Sequence, residues 1–245
     1  MKTKRKRAAS TKPKKVTVKF FINKVVMPVI EGKIKRYPLY MLITYDRKNT
    51  MMRCHYGKYY KDLNEVDKVH YPGLMTMEER VIRKTINYEL AQRGNEFDLK
   101  GTNKKYDQYA IGIHVLLERR LKNQLWSVLS RLEPFEYVRA LNFTDPNVEF
   151  STLHKIAKKI YKDFPALQPK NFEQEIEIYQ AFMKLYQGAF FQYSFPVVIE
   201  WLDGSAIDDY RNKLTVLYPD SPSTIKKNIE FIDRIIQTVL EYRNT

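Results

Sequence analysis

The stretch Val16-Thr17-Val18-Lys19-Phe20-Phe21-Ile22 decides how the amino-terminal part of this chain folds. Its β-branched and aromatic residues favour extended backbone, and Val16, Val18, Phe20 and Ile22 fall on one face at the two-residue period of a strand. Leu39-Tyr40-Met41-Leu42-Ile43-Thr44-Tyr45 and Thr50-Met51-Met52-Arg53-Cys54-His55-Tyr56 predict two more strands, joined by the polar turn Asp46-Arg47-Lys48-Asn49. In the third, Met52, Cys54 and Tyr56 alternate with Arg53 and His55, which puts a polar edge opposite the core, where it can meet phosphate.

Outward from the sheet, a loop around Tyr71-Pro72-Gly73 ends the strand region. Thr76-Met77-Glu78-Glu79 then reads as a capping box, with Thr76 as N-cap and a helix running to Gly94. Ile82, Ile86 and Leu90, four residues apart, form the stripe that lies on the sheet. The expected class is α+β: a small three-stranded antiparallel sheet with one helix over residues 16–95, followed by an all-α bundle over residues 105–245. Helices are expected near 107–131, 152–164, 172–194, 206–217 and 222–243, separated by Pro134, Pro146, Pro165, Pro169, Pro196 and Pro219. Asn171 with Gln174, and Ser221 followed by Pro222, mark two of the starts. Ile225, Ile229, Ile232, Ile236 and Leu240 give the last helix an apolar stripe suited to a bundle.

The 245-residue chain is 44% hydrophobic, enough for a buried core, and its formal net charge is +15. That charge is local: residues 1–70 hold 19 Lys and Arg against 5 Asp and Glu, whereas residues 71–245 hold 24 against 23. The asymmetry points to a polyanionic partner, nucleic acid or an anionic membrane surface, held by one end of the molecule. No apolar run approaches the length of a membrane span and no apolar signal core follows the basic start, so a soluble, cytoplasmic protein of a bacterial host is expected, with a virion as the other location. A single cysteine, Cys54, excludes an intramolecular disulfide.

Motifs of catalysis are sparse. The chain has no phosphate-binding Gly-x-x-x-x-Gly-Lys-Ser/Thr loop, no Gly-x-Gly-x-x-Gly turn, no His-Glu-x-x-His helix and no Gly-x-Ser-x-Gly elbow. A metal-dependent nuclease built from scattered carboxylates stays open. Cys54 and His55 are adjacent on a strand and point to opposite faces, which argues for a half-buried thiol and against a nucleophile with its base. His114 and His154 have no partner at metal-ligand spacing, and Asp208-Asp209 reads as a solvated helix face. The expectation is a non-catalytic protein with no cofactor and no metal.

The strongest binding signal is a basic arm over residues 1–15, expected to be disordered by itself: Lys2, Lys4, Arg5, Lys6, Arg7, Lys12, Lys14 and Lys15. It can neutralise phosphates and enter a minor groove, or serve as a solubilising tail or localisation signal. It has no Leu, Phe or Trp to insert in a membrane. Lys19, Lys33, Lys35, Arg36, Arg47, Lys48, Arg53, Lys58 and Lys61 continue the positive charge into the sheet and its loops. Tyr37, Tyr45, Tyr56, Tyr59 and Tyr60 are interleaved with them, and ordinary strand packing is the commoner fate of such tyrosines.

The strand Val18-Lys19-Phe20-Phe21-Ile22, the entry Tyr37-Pro38-Leu39-Tyr40-Met41-Leu42-Ile43-Thr44, the basic turn Arg47-Lys48-Asn49 and the helix after them are shared with a known kind of domain. From Val16 to about Gly94 the chain resembles the arm-DNA-binding domain that begins the tyrosine recombinases, or integrases, of phages and conjugative transposons. The resemblance implies that the sheet contacts DNA, through Lys19, Arg47, Lys48 and Arg53. Tyr210-Arg211-Asn212-Lys213-Leu214 and Ser221-Pro222-Ser223-Thr224-Ile225-Lys226 resemble the end of the helical core-binding domain of the same enzymes. A recombinase continues into a catalytic domain with a His-x-x-Arg motif and a nucleophilic Tyr, yet none of His55, His70, His114 and His154 has Arg three positions on. The expectation is DNA binding without strand cleavage.

Three functions are therefore expected to compete. The first is a DNA-binding accessory or regulatory protein of a phage or mobile element, holding duplex through the basic module and a protein partner through the helical domain. The second is a virion structural or packaged protein that self-assembles through exposed residues such as Phe190-Phe191-Gln192-Tyr193. The third is an RNA-binding protein that stacks bases on sheet aromatics.

Overall fold

A computed structural model describes residues 15–66, 73–131, 148–161, 164–186 and 195–242. The chain divides into two compact units at Lys105/Tyr106.

The amino-terminal unit is built on one long strand. In chain order it has β1 (Thr17–Ile22), β2 (Val29–Glu31), β3 (Ile34–Tyr45), β4 (Lys48–Arg53) and β5 (Tyr59–Tyr60), a single helical turn α1 (Leu63–Glu65), and the helix α2 (Leu74–Arg93). All four other strands pair antiparallel with β3. The sheet thus has five strands where three were expected. β1 and β4 pair along residues 39–45 of β3, while the short strands β2 and β5 pair with its first five residues, Ile34–Pro38. Both short pieces are two or three residues long, below the length at which alternation is readable in a sequence.

Alternation along β3 sorts its two faces. Val18, Phe20 and Ile22 register with Ile43, Met41 and Leu39, and Met52 and Thr50 register with Met41 and Ile43 from the other side. Leu39, Met41 and Ile43 are fully buried, and α2 covers this face with Leu74, Met77, Val81, Ile82 and Ile86. Each such side chain contributes on the order of 1.5–3 kcal/mol by leaving water. Polar ties fix the helix: Arg83 donates to the Val16 carbonyl, and the Tyr56 amide donates to the buried Glu78 carboxylate at 2.7 Å.

Three details of this unit differ from expectation. The helix begins at Leu74, with Gly73 at a left-handed φ of 101° as its N-cap, so Thr76 lies inside the helix and Glu79 pairs with Arg83 instead of closing a capping box. Strand β4 ends at Arg53, and Cys54 is 2% exposed, fully buried where a half-buried thiol was expected. The expected four-residue turn is a two-residue one: Tyr45 registers with Lys48, and Asp46 and Arg47 both take positive φ, at 49° and 62°. That is the geometry of a type I′ hairpin, whose twist matches the strands it joins.

After β4 the chain folds back against itself at Gly57. A Cβ there would stand 2.8 Å from the Cβ of Cys54 and 3.2 Å from that of Leu39, both in the core. Gly57→Ala is therefore expected to cost about 1–3 kcal/mol by overpacking. The check is amide hydrogen exchange along β3, which should accelerate in the variant.

The helical unit holds the remainder of α3 (Thr102–Tyr109), then α4 (Ile113–Leu129), α5 (Phe150–Ile160), α6 (Phe164–Leu167), α7 (Phe172–Tyr186), α8 (Val198–Leu202), α9 (Ser205–Leu217) and α10 (Pro222–Tyr242). Helix α4 is its hub, packing against α5, α6, α7 and α10. Leu121, Leu125 and Leu129 meet Phe150, Leu153, Phe164, Phe172 and Ile176 in one apolar cluster. Phe182, Tyr186, Phe195, Trp201 and Tyr210 form an aromatic cluster, closed by hydrogen bonds from Tyr186 to Asp209, Trp201 to Asp233 and Tyr210 to Asn228. The single helix expected over 107–131 is two, broken between Tyr109 and Ile113, where Ile111 and Ile113 bond instead to Val198 and Pro196. The helix expected over 152–164 ends at Ile160, Pro165 lies within α6, and α8 was not expected at all. Residues 187–194 lie outside the described segments, so the fate of the last third of the expected 172–194 helix and of Phe190-Phe191-Gln192-Tyr193 is not described. Starts at Phe172 and Pro222 agree with the expected caps at Asn171 and Ser221.

Candidate nucleic-acid interface

The face of the sheet turned away from α2 carries its own ordered set of side chains. Register across β1, β3 and β4 gives the rows Thr17–Thr44–Asn49, Lys19–Leu42–Met51 and Phe21–Tyr40–Arg53, followed by Pro38–Tyr59. None of these positions is acidic. Lys19, Asn49 and Arg53 are exposed, Met51 is 55% exposed, and Phe21, Tyr40, Leu42 and Tyr59 are half-buried. Two of the rings pack together, Phe21 and Tyr40 at 6.0 Å, and a third supports a cation, with the Arg53 guanidinium 5.1 Å from the centre of the Tyr59 ring. A cation over a ring keeps its charge while its stem is held in place. Strand spacing puts Lys19 and Arg53, two strands and one row apart, about 12 Å from each other.

The other expected cations scatter. Arg47 lies in the hairpin turn, and Lys48, in register with Tyr45, belongs to the helix side of the sheet, where it lines a small cleft with Leu90, Phe97 and Leu99. Lys33 and Lys35 are exposed on the β2–β3 hairpin, and Lys15 and Lys58 are exposed beside the sheet. Arg36 has a different role from the one expected. Its guanidinium joins Glu31 at 2.8 Å and also Glu65 of α1. The hydrogen bond to Glu65 raises its already high pKa despite some desolvation, so this cation is committed to two carboxylates and ties the hairpin to α1. Lys2, Lys4, Arg5, Lys6, Arg7, Lys12 and Lys14 lie outside the described residues.

Of the tyrosines interleaved with these cations, register places Tyr59 on the exposed face and Tyr37, Tyr45 and Tyr60 on the other. Tyr60 is buried against the helix side, Tyr37 registers with it, and Tyr45 meets Phe97 edge-on at 5.6 Å. The exposed face gains Phe21, Tyr40 and Met51 instead, which the period-two pattern of β1 and β3 identifies once their core faces are known.

Cys54 and His154 are packed among apolar groups, and Asp208 and Asp209 are paired on a helix surface. Burial, with the Glu78 carboxylate nearby, pushes the Cys54 thiol far up, away from the thiolate a nucleophile needs. His154 stacks on Phe150 within the apolar cluster, and burial lowers its pKa. Asp208 pairs with Arg211, while Asp209 accepts from Tyr186 and Lys213. Among the described residues, no three His, Cys, Asp or Glu side chains come together to hold a metal ion. Nor is any described helix long and apolar enough to cross a membrane.

No protein-family model matches the chain, and comparison with the curated proteins and with the solved structures found no match.

Proposed function

We propose that this chain is a non-catalytic DNA-binding protein that lays the exposed face of its amino-terminal sheet against duplex DNA. The observation that carries the reading is the acid-free exposed face itself, where Lys19 and Arg53 stand on a rigid ladder with Phe21, Tyr40 and Met51 between them. Fixed cations position a protein on phosphate, and half-exposed apolar side chains can meet thymine methyls or sugars. Three strands span about 10 Å, which suits a major groove about 12 Å wide. The basic arm that precedes β1 in the sequence adds positive charge to the same end of the chain, and the resemblance of residues 16–94 to arm-DNA-binding domains points the same way. On this reading the chain serves a phage or mobile element as an accessory or regulatory protein, and the helical unit contacts protein.

Phe21, Tyr40 and Tyr59 also favour a second reading, in which unpaired bases stack on the sheet. The two separate in one experiment on the full chain, in which duplex DNA, single-stranded DNA and RNA of the same mixed sequence compete for binding. The duplex is expected to win, and Phe21→Ala with Tyr40→Ala to lower its affinity no more than about tenfold. Preference for a single strand, with a loss of about 1–3 kcal/mol per ring removed, would replace the duplex reading with the stacking one.

A further inference from the structure

The connection from β1 to β2 and the β2–β3 hairpin that follows it expose apolar side chains that the fold does not use. Val25, Met27 and Ile30 are 97%, 88% and 66% exposed, and Val26, Val29 and Ile34 are exposed as well. These six fall within ten consecutive residues, a density that marks an interaction surface. The backbone there is nonetheless held. The Asn23 amide donates to the Pro38 carbonyl at 3.1 Å, the Asn23 side chain accepts from the Val25 amide at 3.2 Å, and Arg36 clamps Glu31 to Glu65. Gly32, at a φ of 62°, turns β2 into β3.

Charge identifies what such a surface meets. Lys24, Lys33 and Lys35 flank the apolar residues, are exposed, and have no carboxylate partner among the described residues. Glu31, the single acid between Asn23 and Arg36, is neutralised by Arg36. A second copy of the same hairpin would be repelled, whereas a polyanion would be drawn in. The segment 23–36 has no Trp, Phe or Tyr, the residues with which a protein usually enters a lipid interface. Met and Pro are instead among the side chains that wedge between base steps from the minor groove, and the exposed Met27, followed by Pro28, stands in the β1–β2 connection.

Resting on the duplex reading above, we infer that the segment Lys24–Arg36, the β1–β2 connection together with the β2–β3 hairpin, is a DNA-bending wedge: Met27 and its apolar neighbours enter the minor groove and part a base step, while Lys24, Lys33 and Lys35 hold the flanking phosphates. Flexible pyrimidine–purine steps are its preferred sites, because they unstack at least cost.

The test uses the full chain and a short duplex that contains TA steps, carries 2-aminopurine in one of them and is end-labelled for energy transfer. Wild-type protein is expected to raise 2-aminopurine fluorescence several-fold and to raise end-to-end transfer, as a kink of about 20–90° requires. Val25→Ser with Met27→Ser should abolish most of both signals while duplex binding persists with an unchanged salt slope, since no cation is removed. Binding with neither signal, or with signals equal in the variant, overturns the wedge and leaves the duplex reading standing. Absence of duplex binding overturns both. Met27-dependent binding to phosphatidylglycerol vesicles without a duplex signal assigns the hairpin to a membrane and likewise overturns the proposal.

Discussion

Acidification from pH 7 to pH 4.5 is expected to remove on the order of 2 kcal/mol of stability from the helical unit through one side chain, His114. The residue occupies the second position of α4, its ring 4.2 Å from that of Phe195, and its Nδ1 is buried without a hydrogen-bond partner. Gly112 makes room for it, since a Cβ there would lie 2.6 Å from the imidazole. Burial lowers the His114 pKa to about 4, against a smaller upward pull from Glu118. A positive charge at a helix amino terminus is disfavoured as well.

The sign follows from proton counting. Between about pH 6.5 and pH 4 the unfolded chain binds a proton at this histidine that the folded chain does not, so stability is full above pH 6.5 and falls as pH drops through that window. A shift from 6.5 to about 4 is worth about 3 kcal/mol once complete, most of it already lost at pH 4.5. The chain's two tryptophans, Trp126 and Trp201, both lie in the helical unit, so urea unfolding followed by tryptophan fluorescence reports on that unit alone. His114→Gln should be less stable than wild type at pH 7 and close to it at pH 4.5. A gap that stays constant with pH would show that His114 does not titrate on unfolding. His154, whose pKa is also lowered, leaves a smaller acid sensitivity in the variant.

Reversing two charges on the sheet should weaken duplex binding by about a hundredfold at a salt concentration near 0.1 M. Each cation that neutralises a phosphate releases about 0.9 counterion, and Lys19→Glu with Arg53→Glu removes two such contacts and adds repulsion. Both side chains are exposed and neither forms an ion pair among the described residues, so the fold should survive. An instructive control is Lys226→Glu with Lys227→Glu on α10, which changes net charge equally in the helical unit and should move affinity only slightly. Equal losses in both variants would mean that overall charge, and not the sheet, attracts DNA.

How far the sequence was legible follows its hydrophobic periods. Alternation in residues 16–22 and 39–45 was strong enough to locate β1 and most of β3, and the four-residue stripe of Ile82 and Ile86 located α2. The start of α2 is silent in the sequence because Gly73 supplies the cap through its backbone conformation, a device with no side-chain signature. Helices α3 and α4 read as one in the sequence because Ala110, Ile111 and Gly112 include no proline; the break is made by tertiary pairing with residues 196–198. At the candidate interface, Lys19 and Arg53 were read correctly as exposed strand cations, whereas Arg36 was indistinguishable from Lys35 until Glu31 and Glu65 were seen beside it. Carboxylates 5 and 29 positions away converge on one guanidinium only after folding. The exposed hairpin was unreadable for the opposite reason, since Val25-Val26-Met27-Pro28-Val29-Ile30 has the composition of a core strand and yet lies in solvent.

The measurement that bears most directly on the sheet as a DNA-binding face is the dissociation constant of the full chain for mixed-sequence duplex across a series of salt concentrations, for wild type and for Lys19→Glu with Arg53→Glu. Wild type should lose affinity steeply as salt rises, and the variant's slope of log affinity against log salt should be shallower by about 2. Identical slopes and affinities in the two proteins, or no duplex binding by wild type at low salt, would contradict the account.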